Sequence, residues 1–420
     1  MKDYKIIDRC LLCNGKIKHI INLGSTPLAN EFLDVPEKQD LFPLNLIQCI
    51  ECNHVQLDCI VDKDRLYKHY LYVSGTSKVN VEHFEKYARE IMFSYYNLAT
   101  FTDGDSLKLL DLDKNIDKTI LDIGSNDGTF LKCFKKYNFD VIGVDPALNI
   151  KDLAKLNGID TITEFFSKDT SKIIRQNLSN KKIKVITCNN MFAHNENLTT
   201  IVEGVLELLD DDGIFVFENS YLLDILDKTL VDLIYHEHMH HHHIGALQKF
   251  FNKFYMDIYD VTRLPNHGGS IRVFTCRRGT KPIRQSVANI IEEEKSINIK
   301  LVQFCDNIKI LKETLNNRLK ELSSKQKTIL VYGMPAKSTT LLYALDIDEN
   351  LISYGIDDAE LKQNTFSPGK HIKIFSDAAL KDGSVVLILG WNFADSIISN
   401  HPNFKGTWII PLPELKEFNT

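Results

Sequence analysis

Thr119-Ile-Leu-Asp-Ile-Gly-Ser-Asn-Asp-Gly-Thr-Phe-Leu131 joins a short apolar strand (Ile120, Leu121, Ile123) to the start of a helix through a glycine turn. A second apolar strand, Val141-Ile-Gly-Val144, follows and ends in Asp145. Strand, glycine turn, helix, strand and acid open a nucleotide-binding α/β domain. The turn is not the GxGxxG fingerprint, because Gly124 and Gly128 enclose Ser-Asn-Asp. A carboxylate in the turn, Asp127, would repel a pyrophosphate and suits a cationic or amino-bearing ligand such as S-adenosylmethionine (SAM). Asp122, Gly124, Asn126 and Gly128 are the expected cofactor-binding residues of the turn, and Asp145 is placed to accept hydrogen bonds from ribose hydroxyls.

Bulk composition narrows the rest. A chain of 420 residues allows two or three domains. A hydrophobic content of 44% and a charged content of 25% are those of a globular protein. The net charge of −6 argues against a nucleic-acid partner, which needs a basic face. No apolar run has the length of a membrane span, and Met1 to Cys10 lacks the apolar core of a signal peptide, so the expected compartment is the cytoplasm. In that compartment the nine cysteines are expected to be thiols or ligands.

Cys10-Leu-Leu-Cys13 and Cys49-Ile-Glu-Cys52 are two CxxC knuckles. Together they supply four thiolates for a tetrahedral zinc ion, and a closed four-sulfur site leaves no open position for a substrate. A structural zinc site at Cys10, Cys13, Cys49 and Cys52 is therefore expected. Neither pair opens a helix beside a thioredoxin-like strand, which disfavours redox chemistry. Cys59 reads as a small core residue, and Asn22 to Asn30 as a loop.

Residues 62 to 100 hold a tyrosine-rich loop (Tyr67, Tyr70, Tyr72) and a helical pattern through Phe84, Tyr87, Ile91 and Tyr95. Beyond the glycine turn, Val185 to His194 reads as a strand and its exit loop. This puts Asn189, Asn190 and His194 at the carboxyl end of the sheet, where ligands bind. Ile201 to Leu209 reads as an amphipathic helix closed by Asp210-Asp-Asp-Gly213, and Ile214 to Glu218 as a further buried strand. The segment Tyr235-His-Glu-His238-Met-His-His-His-His243 contains a literal HExxH (His236, Glu237, His240). A zinc protease would need these on one helix face with a third ligand, and a histidine run satisfies almost any spacing by chance. The rival reading takes Tyr235, Glu237 and His238 as acid–base groups beside a SAM pocket, since imidazole titrates near neutrality. His240 to His243 are expected to be solvated or packed.

Asn266-His-Gly-Gly-Ser-Ile-Arg272 is a glycine turn entering a strand, with His267 and Arg272 as candidate pocket groups and a structural ion pair as the alternative for Arg272. Residues 287 to 322 read as one long helix with apolar residues at threes and fours. A second α/β unit follows: Thr328 to Gly333, a helix carrying Lys337, the strand Ile352 to Asp357, and the strand Ser384 to Gly390 presenting Trp391 and Asn392. The spacing from Gly333 to Lys337 is wrong for a P-loop.

Taken in order, the paired knuckles, LDIGSNDGTFL, GVDPALNI, NNMFAH, IYHEH, LPNHGGSIRV, YGMPAKSTTLL and LGWN resemble the sugar C-methyltransferase family over Cys10 to Trp408. The resemblance implies a zinc-binding domain (1–65), a central SAM-binding Rossmann-like domain (66–280), and a linker helix with a C-terminal Rossmann-like domain (281–420). It also implies methylation at C3 of a nucleotide-linked 4-keto-deoxysugar through an enolate. On that match His238 is the base. Tyr235, Tyr72 and His194 polarise the C4 carbonyl, and Glu237 holds a sugar hydroxyl or orients His238. Asn190 joins the SAM-binding set, and His267, Arg272, Lys337, Trp391 and Asn392 hold the sugar nucleotide. The four histidines after Met239 depart from the family's small polar and aromatic residues. The rival functions are a sugar O-methyltransferase and a zinc-ribbon protein acting on RNA. No nucleic acid or membrane partner is expected, and the chain is expected to be a monomer or small homo-oligomer.

Overall fold

The computed structural model describes residues 3–68, 70, 72–76, 78–96, 99–103, 106–110, 118–179 and 181–420. His69, Leu71 and Ser77, in and just after the tyrosine loop, lie outside the described residues. Three larger sheets organise the chain, and the protein is α/β throughout its second and third thirds.

The N-terminal sheet runs antiparallel through β1 (Ile17–Thr26), β2 (Phe42–Cys49) and β3 (Val55–Leu57). The stretch from Asn22, expected to be a loop, lies in β1. Its register shifts between Asn22 and Ser25, with Gly24 at φ 88°, so the turn-forming residues are absorbed as a bulge. Cys59 is fully buried, as a core thiol should be.

Helix α1 (Lys78–Tyr96) buries Tyr87, Ile91 and Met92 against the central unit. The central sheet is then built from β4 (Thr119–Ile123), β5 (Asp140–Val144), β6 (Thr161–Ile162), β7 (Ile183–Asn189) and β8 (Leu209–Ser220), parallel in the order β6-β5-β4-β7-β8. Every residue of β4 is buried, as a parallel strand covered on both faces requires. The order reverses between β4 and β7, which opens a crevice at the carboxyl ends of these two strands. Asp210 to Gly213, expected to be a turn, is the irregular start of β8.

The histidine run is the largest departure from expectation. His240–His241 form β9, which pairs antiparallel with Gln56 and Val55 of β3 and so becomes the fourth strand of the N-terminal sheet. All four histidines from 240 to 243 are buried, the packed one of the two outcomes expected for them, and what the sequence did not indicate is the strand. A segment of the central unit thus closes the sheet of the first. The hairpin β10 (Met256–Leu264) and β11 (Ser270–Arg277) then adds two antiparallel strands to the central sheet beside β8.

The expected single helix from 287 to 322 is broken. Helices α2 (Gln285–Glu293) and α3 (Ile297–Ser324) are joined by a 3-10 turn at Glu294, whose carboxylate turns inward. It accepts hydrogen bonds from Ile244 N and Gly245 N at 2.7 Å each and from the Tyr221 hydroxyl at 3.0 Å. It therefore caps the N-terminus of the helix Ile244–Asn252, and this capping gives the break a physical cause.

The last sheet contains β12 (Ile329–Tyr332), β13 (Tyr354–Ile356), β14 (Ile374–Phe375), β15 (Val385–Ile388), β16 (Thr407–Ile410) and β17 (Lys416–Asn419) in the order β14-β13-β12-β15-β16-β17. All pairs are parallel except β16 with β17. Its strand order repeats the switch point of the central sheet.

Candidate active site

A cleft of about 1530 Å³ is lined by residues at the carboxyl ends of strands of both the central sheet and the last one. That exceeds the roughly 300–1,000 Å³ of a single small-molecule pocket, so it has room for two ligands side by side.

One end of the cleft is the glycine turn. Gly128 stands at φ 75° immediately before the helix Thr129–Lys135, and a Cβ there would lie 2.5 Å from Ile159 Cγ1. Both the left-handed backbone and the close packing require glycine. The Asp145 carboxylate accepts from Asn126 N and Ala147 N, each at 2.9 Å. One lone pair on each oxygen remains for hydroxyls in the cleft. Burial raises its pKa, opposed by those two N–H groups. Asp122 is pushed up to about 7, chiefly by burial, although the Thr187 hydroxyl donates to it at 2.7 Å. Asn126 accepts from Ser74 N and donates to Tyr72 O, both at 3.0 Å, which fastens the tyrosine loop to the turn. Asp127 does not face the cleft. Its carboxylate accepts from Gly75 N at 3.1 Å and from the Thr129 hydroxyl at 2.9 Å, so the charge argument drawn from it in the sequence does not hold. Asn190, at φ 54°, lines the cleft beside Glu218.

The second group lies across the cleft. His238 Nδ1 is 2.9 Å from Leu233 O, and a carbonyl oxygen only accepts, so Nδ1 carries the hydrogen. In the neutral ring Nε2 is then a free acceptor, and the Tyr235 hydroxyl donates to it at 2.9 Å. Burial, opposed by the Leu233 contact, brings the imidazole down to about 4, so it is neutral at pH 7. The His194 ring lies 5.0 Å from that of His238, centroid to centroid, and burial lowers its pKa as well. Glu237 is buried one layer behind. It accepts from the Asn30 amide at 2.7 Å and the Tyr70 hydroxyl at 2.9 Å, and burial pushes it up to about 7. Tyr72 lines the cleft with its hydroxyl accepting from the Asn80 amide at 2.6 Å, so Tyr70, not Tyr72, contacts the acidic member of the motif.

The same geometry removes the HExxH reading. His236 Nε2 donates to Pro43 O at 3.1 Å and His240 Nε2 to Asn195 O at 2.9 Å, on a turn and a strand rather than on one helix face. Among the described residues, the four cysteines are the group of metal-ligating side chains brought within reach of one ion. Their ligand atoms lie within 4.8 Å of one another, with Sγ pairs at 3.4 to 3.6 Å. Zinc with sulfur ligands at about 2.3 Å in a tetrahedron needs pairs near ~3.8 Å, so the set fits with a slight expansion. The amides of Glu51 and Cys52 point at Cys49 Sγ from 3.4 Å, as donors to a thiolate should.

Of the expected substrate residues, His267, Lys337 and Asn392 line the cleft. Arg272 stands behind it: its guanidinium lies 3.4 Å above the Tyr87 ring and pairs with Glu218 and Glu90. The structural ion pair, not the pocket, is where Arg272 belongs. Glu218 itself faces the cleft and also accepts from His83 Nε2 at 2.7 Å. Burial works to raise this carboxyl, but His83 and Arg272 outweigh it and hold it below the ordinary value. Trp391 likewise is not a cleft wall, because its indole Nε1 donates to the fully buried Asp232 at 2.7 Å.

Family models match three successive segments: a putative zinc-binding domain over residues 10–67, a methyltransferase domain over 88–255, and a C-methyltransferase C-terminal domain over 265–413. The C-methyltransferase NovU of Streptomyces niveus is 30% identical, covering 97% of this chain and 96% of that protein. The chain belongs to the SAM-dependent C-methyltransferase family. Among solved structures, a SAM-dependent methyltransferase from Clostridium acetobutylicum aligns with 49% of this chain and 94% of its own, at 14% identity and a TM-score of 0.36. A magnesium protoporphyrin IX methyltransferase from Synechocystis aligns with 38% of this chain and 73% of its own, at 13% identity and a TM-score of 0.30.

This C-methyltransferase therefore uses SAM, and its N-terminal cysteine cluster binds zinc. No helix among its described residues is long and apolar enough to cross a membrane. Asn30 and His83 were not singled out in the sequence. Asn30 reaches Glu237 across 207 positions from what read as a plain loop, and His83 sits in an unremarkable helical pattern. Only the fold brings them to the motif.

Proposed function

We propose that this C-methyltransferase methylates C3 of a nucleotide-linked 4-keto-deoxysugar through an enolate, with His238 as the base. The observation that carries this reading is the tautomer of His238, a cleft-lining residue whose Nε2 is left as an acceptor and is paired with the Tyr235 hydroxyl. A ketone at C4 acidifies the C3–H bond, and a neutral imidazole lining the cleft has the lone pair to take that proton. Tyr235 holds a phenolic proton that burial keeps in place, so it can turn from Nε2 toward the C4 oxygen and stabilise the enolate as His238 accepts the C3 proton. His194 stands beside the pair as a second neutral donor to the same oxygen. Glu237 acts through Tyr70 and Asn30 to fix the shape of this wall rather than by touching the reacting carbon. Lys337 and Asn392, which follow the two central strands of the last sheet, hold the nucleotide part of the substrate together with His267, and all three line the cleft.

Bound at Asp122, the Gly124 turn, Asn126, Asp145 and Asn190, SAM supplies an electrophilic methyl group. The residues of this chain hold the donor, take the C3 proton and stabilise the enolate oxygen. Carbon-13 NMR of the product made with methyl-labelled SAM and a 4-keto-deoxysugar nucleotide tests the reading. The label is expected as a methyl group bonded directly to ring carbon C3, and a methoxy signal would overturn it.

A further inference from the structure

Trp391, Lys337 and Asp232 form a buried cluster that spans two units of the fold. Asp232 is fully buried in the 3-10 turn Val231–Leu233, and its Oδ2 takes both the Trp391 indole N–H at 2.7 Å and the Lys337 ammonium at 3.3 Å. The other oxygen, Oδ1, is buried with no partner among the described side chains, so the carboxylate depends on these two contacts. Lys337 also lies 4.2 Å above the Trp391 ring, which makes the indole a platform for the ammonium.

Two turns meet on this indole, and each carries a residue of the reactive wall. The first is Val231–Leu233: Leu233, next to Asp232, supplies the carbonyl that holds His238 Nδ1–H. The second is Asn266–Gly268, where a Cβ on Gly268 would lie 2.6 Å from Trp391 Cη2, so only glycine lets the turn rest on the ring. His267, one residue earlier and itself at φ 54°, lines the same cleft as His238. The indole belongs to the last sheet, while both turns belong to the central unit.

We infer that Trp391 is a positioning residue: through Asp232 and Leu233 it fixes the tautomer of His238, and through Gly268 it fixes His267, so that the C-terminal unit sets the base of the central one. This rests on the reading of His238 as the base. A residue two contacts away matters because a displacement of the order of 1 Å at the reacting groups costs on the order of 10²-fold in rate. Trp391→Phe keeps an aromatic side chain but removes both the N–H and the outer indole edge that meets Gly268. Asp232→Asn keeps an acceptor for the indole and removes only the charge.

The test combines nitrogen-15 histidine NMR with steady-state kinetics on the full-length zinc-loaded protein, the His238 signals being assigned from His238→Asn. In wild type, Nε2 should give the signature of an unprotonated ring nitrogen. In Trp391→Phe, that signature should collapse toward a mixture of tautomers, and kcat should fall on the order of 10- to 100-fold with the KM for SAM unchanged. Asp232→Asn should retain the wild-type tautomer, which separates lost positioning from general loosening. Unchanged His238 signals in a folded Trp391→Phe would overturn the inference, as would equal loss in both variants. Altered signals with an unchanged kcat would leave the positioning intact and instead remove His238 as the base. If Trp391→Phe fails to fold, Gly268→Ala carries the same comparison through His267.

Discussion

The Tyr235 hydroxyl lies 2.9 Å from His238 Nε2 and donates to it, so the lone pair expected to take the substrate proton is held by a phenol until substrate arrives. Removing that hydroxyl frees the base but deletes a donor for the enolate oxygen. Tyr235→Phe is therefore expected to lower kcat about 10²- to 10³-fold while leaving the KM for SAM unchanged, as steady-state kinetics would show. A rise in kcat would mean that the phenol only restrains the imidazole.

The pH dependence follows from burial. His238 must be neutral to act, and burial brings it down to about 4. Activity is present above that value and is lost as the pH falls through it. The acid limb of kcat, measured by brief dilution from neutral stock, should thus lie well below the ~6.5 of a free imidazole. A limb near 7 would instead assign the titration to Glu237 or Asp122, both of which burial pushes up to about 7.

Stability should fall on the acid side for the same reason, the burial of neutral imidazoles. His236, His240 and His267 come down to about 4 and His241 to about 3, all chiefly by loss of solvent. Unfolded, each binds its proton near ~6.5, so the stability they contribute is present above that pH. It falls as the pH drops toward 4, by up to about 1.4 kcal/mol per pH unit per histidine. Urea midpoints at pH 7.5 and 5 test this, and equal midpoints would contradict a buried, neutral run.

How much of this was legible in the sequence depends on the range of the interaction. The glycine turn, both CxxC knuckles and the two α/β units are local patterns, and the strands and helices form at or near the expected places. What failed was long-range. The histidine run offers no period that marks it as a strand, because its partners Val55 and Gln56 lie far upstream. Glu294 breaks an otherwise regular apolar stripe to cap a helix start some fifty positions earlier, with |i−j| of 50 for Ile244. Arg272 and Trp391 had the right chemistry for a pocket, but each spends its donors on a buried carboxylate.

The zinc site should support the reactive wall without touching the reacting groups. One equivalent of zinc per chain is expected by elemental analysis, with four thiolates in its absorption edge. Zinc binding contributes on the order of 10 kcal/mol to folding in small zinc peptides. Removing it with a chelator should therefore lower the thermal midpoint and, because Asn30 of this unit holds Glu237, the activity too. Full activity in a zinc-free protein would contradict the structural role.

The central claim is that His238 removes the C3 proton. The direct measurement is proton NMR of a 4-keto-deoxysugar nucleotide in heavy water with enzyme and no SAM, comparing wild type with His238→Asn. Wild type should exchange the C3 proton for deuterium, and the variant should do so on the order of 10²- to 10⁴-fold more slowly. Exchange at the same rate in both proteins would contradict the assignment of His238 as the base.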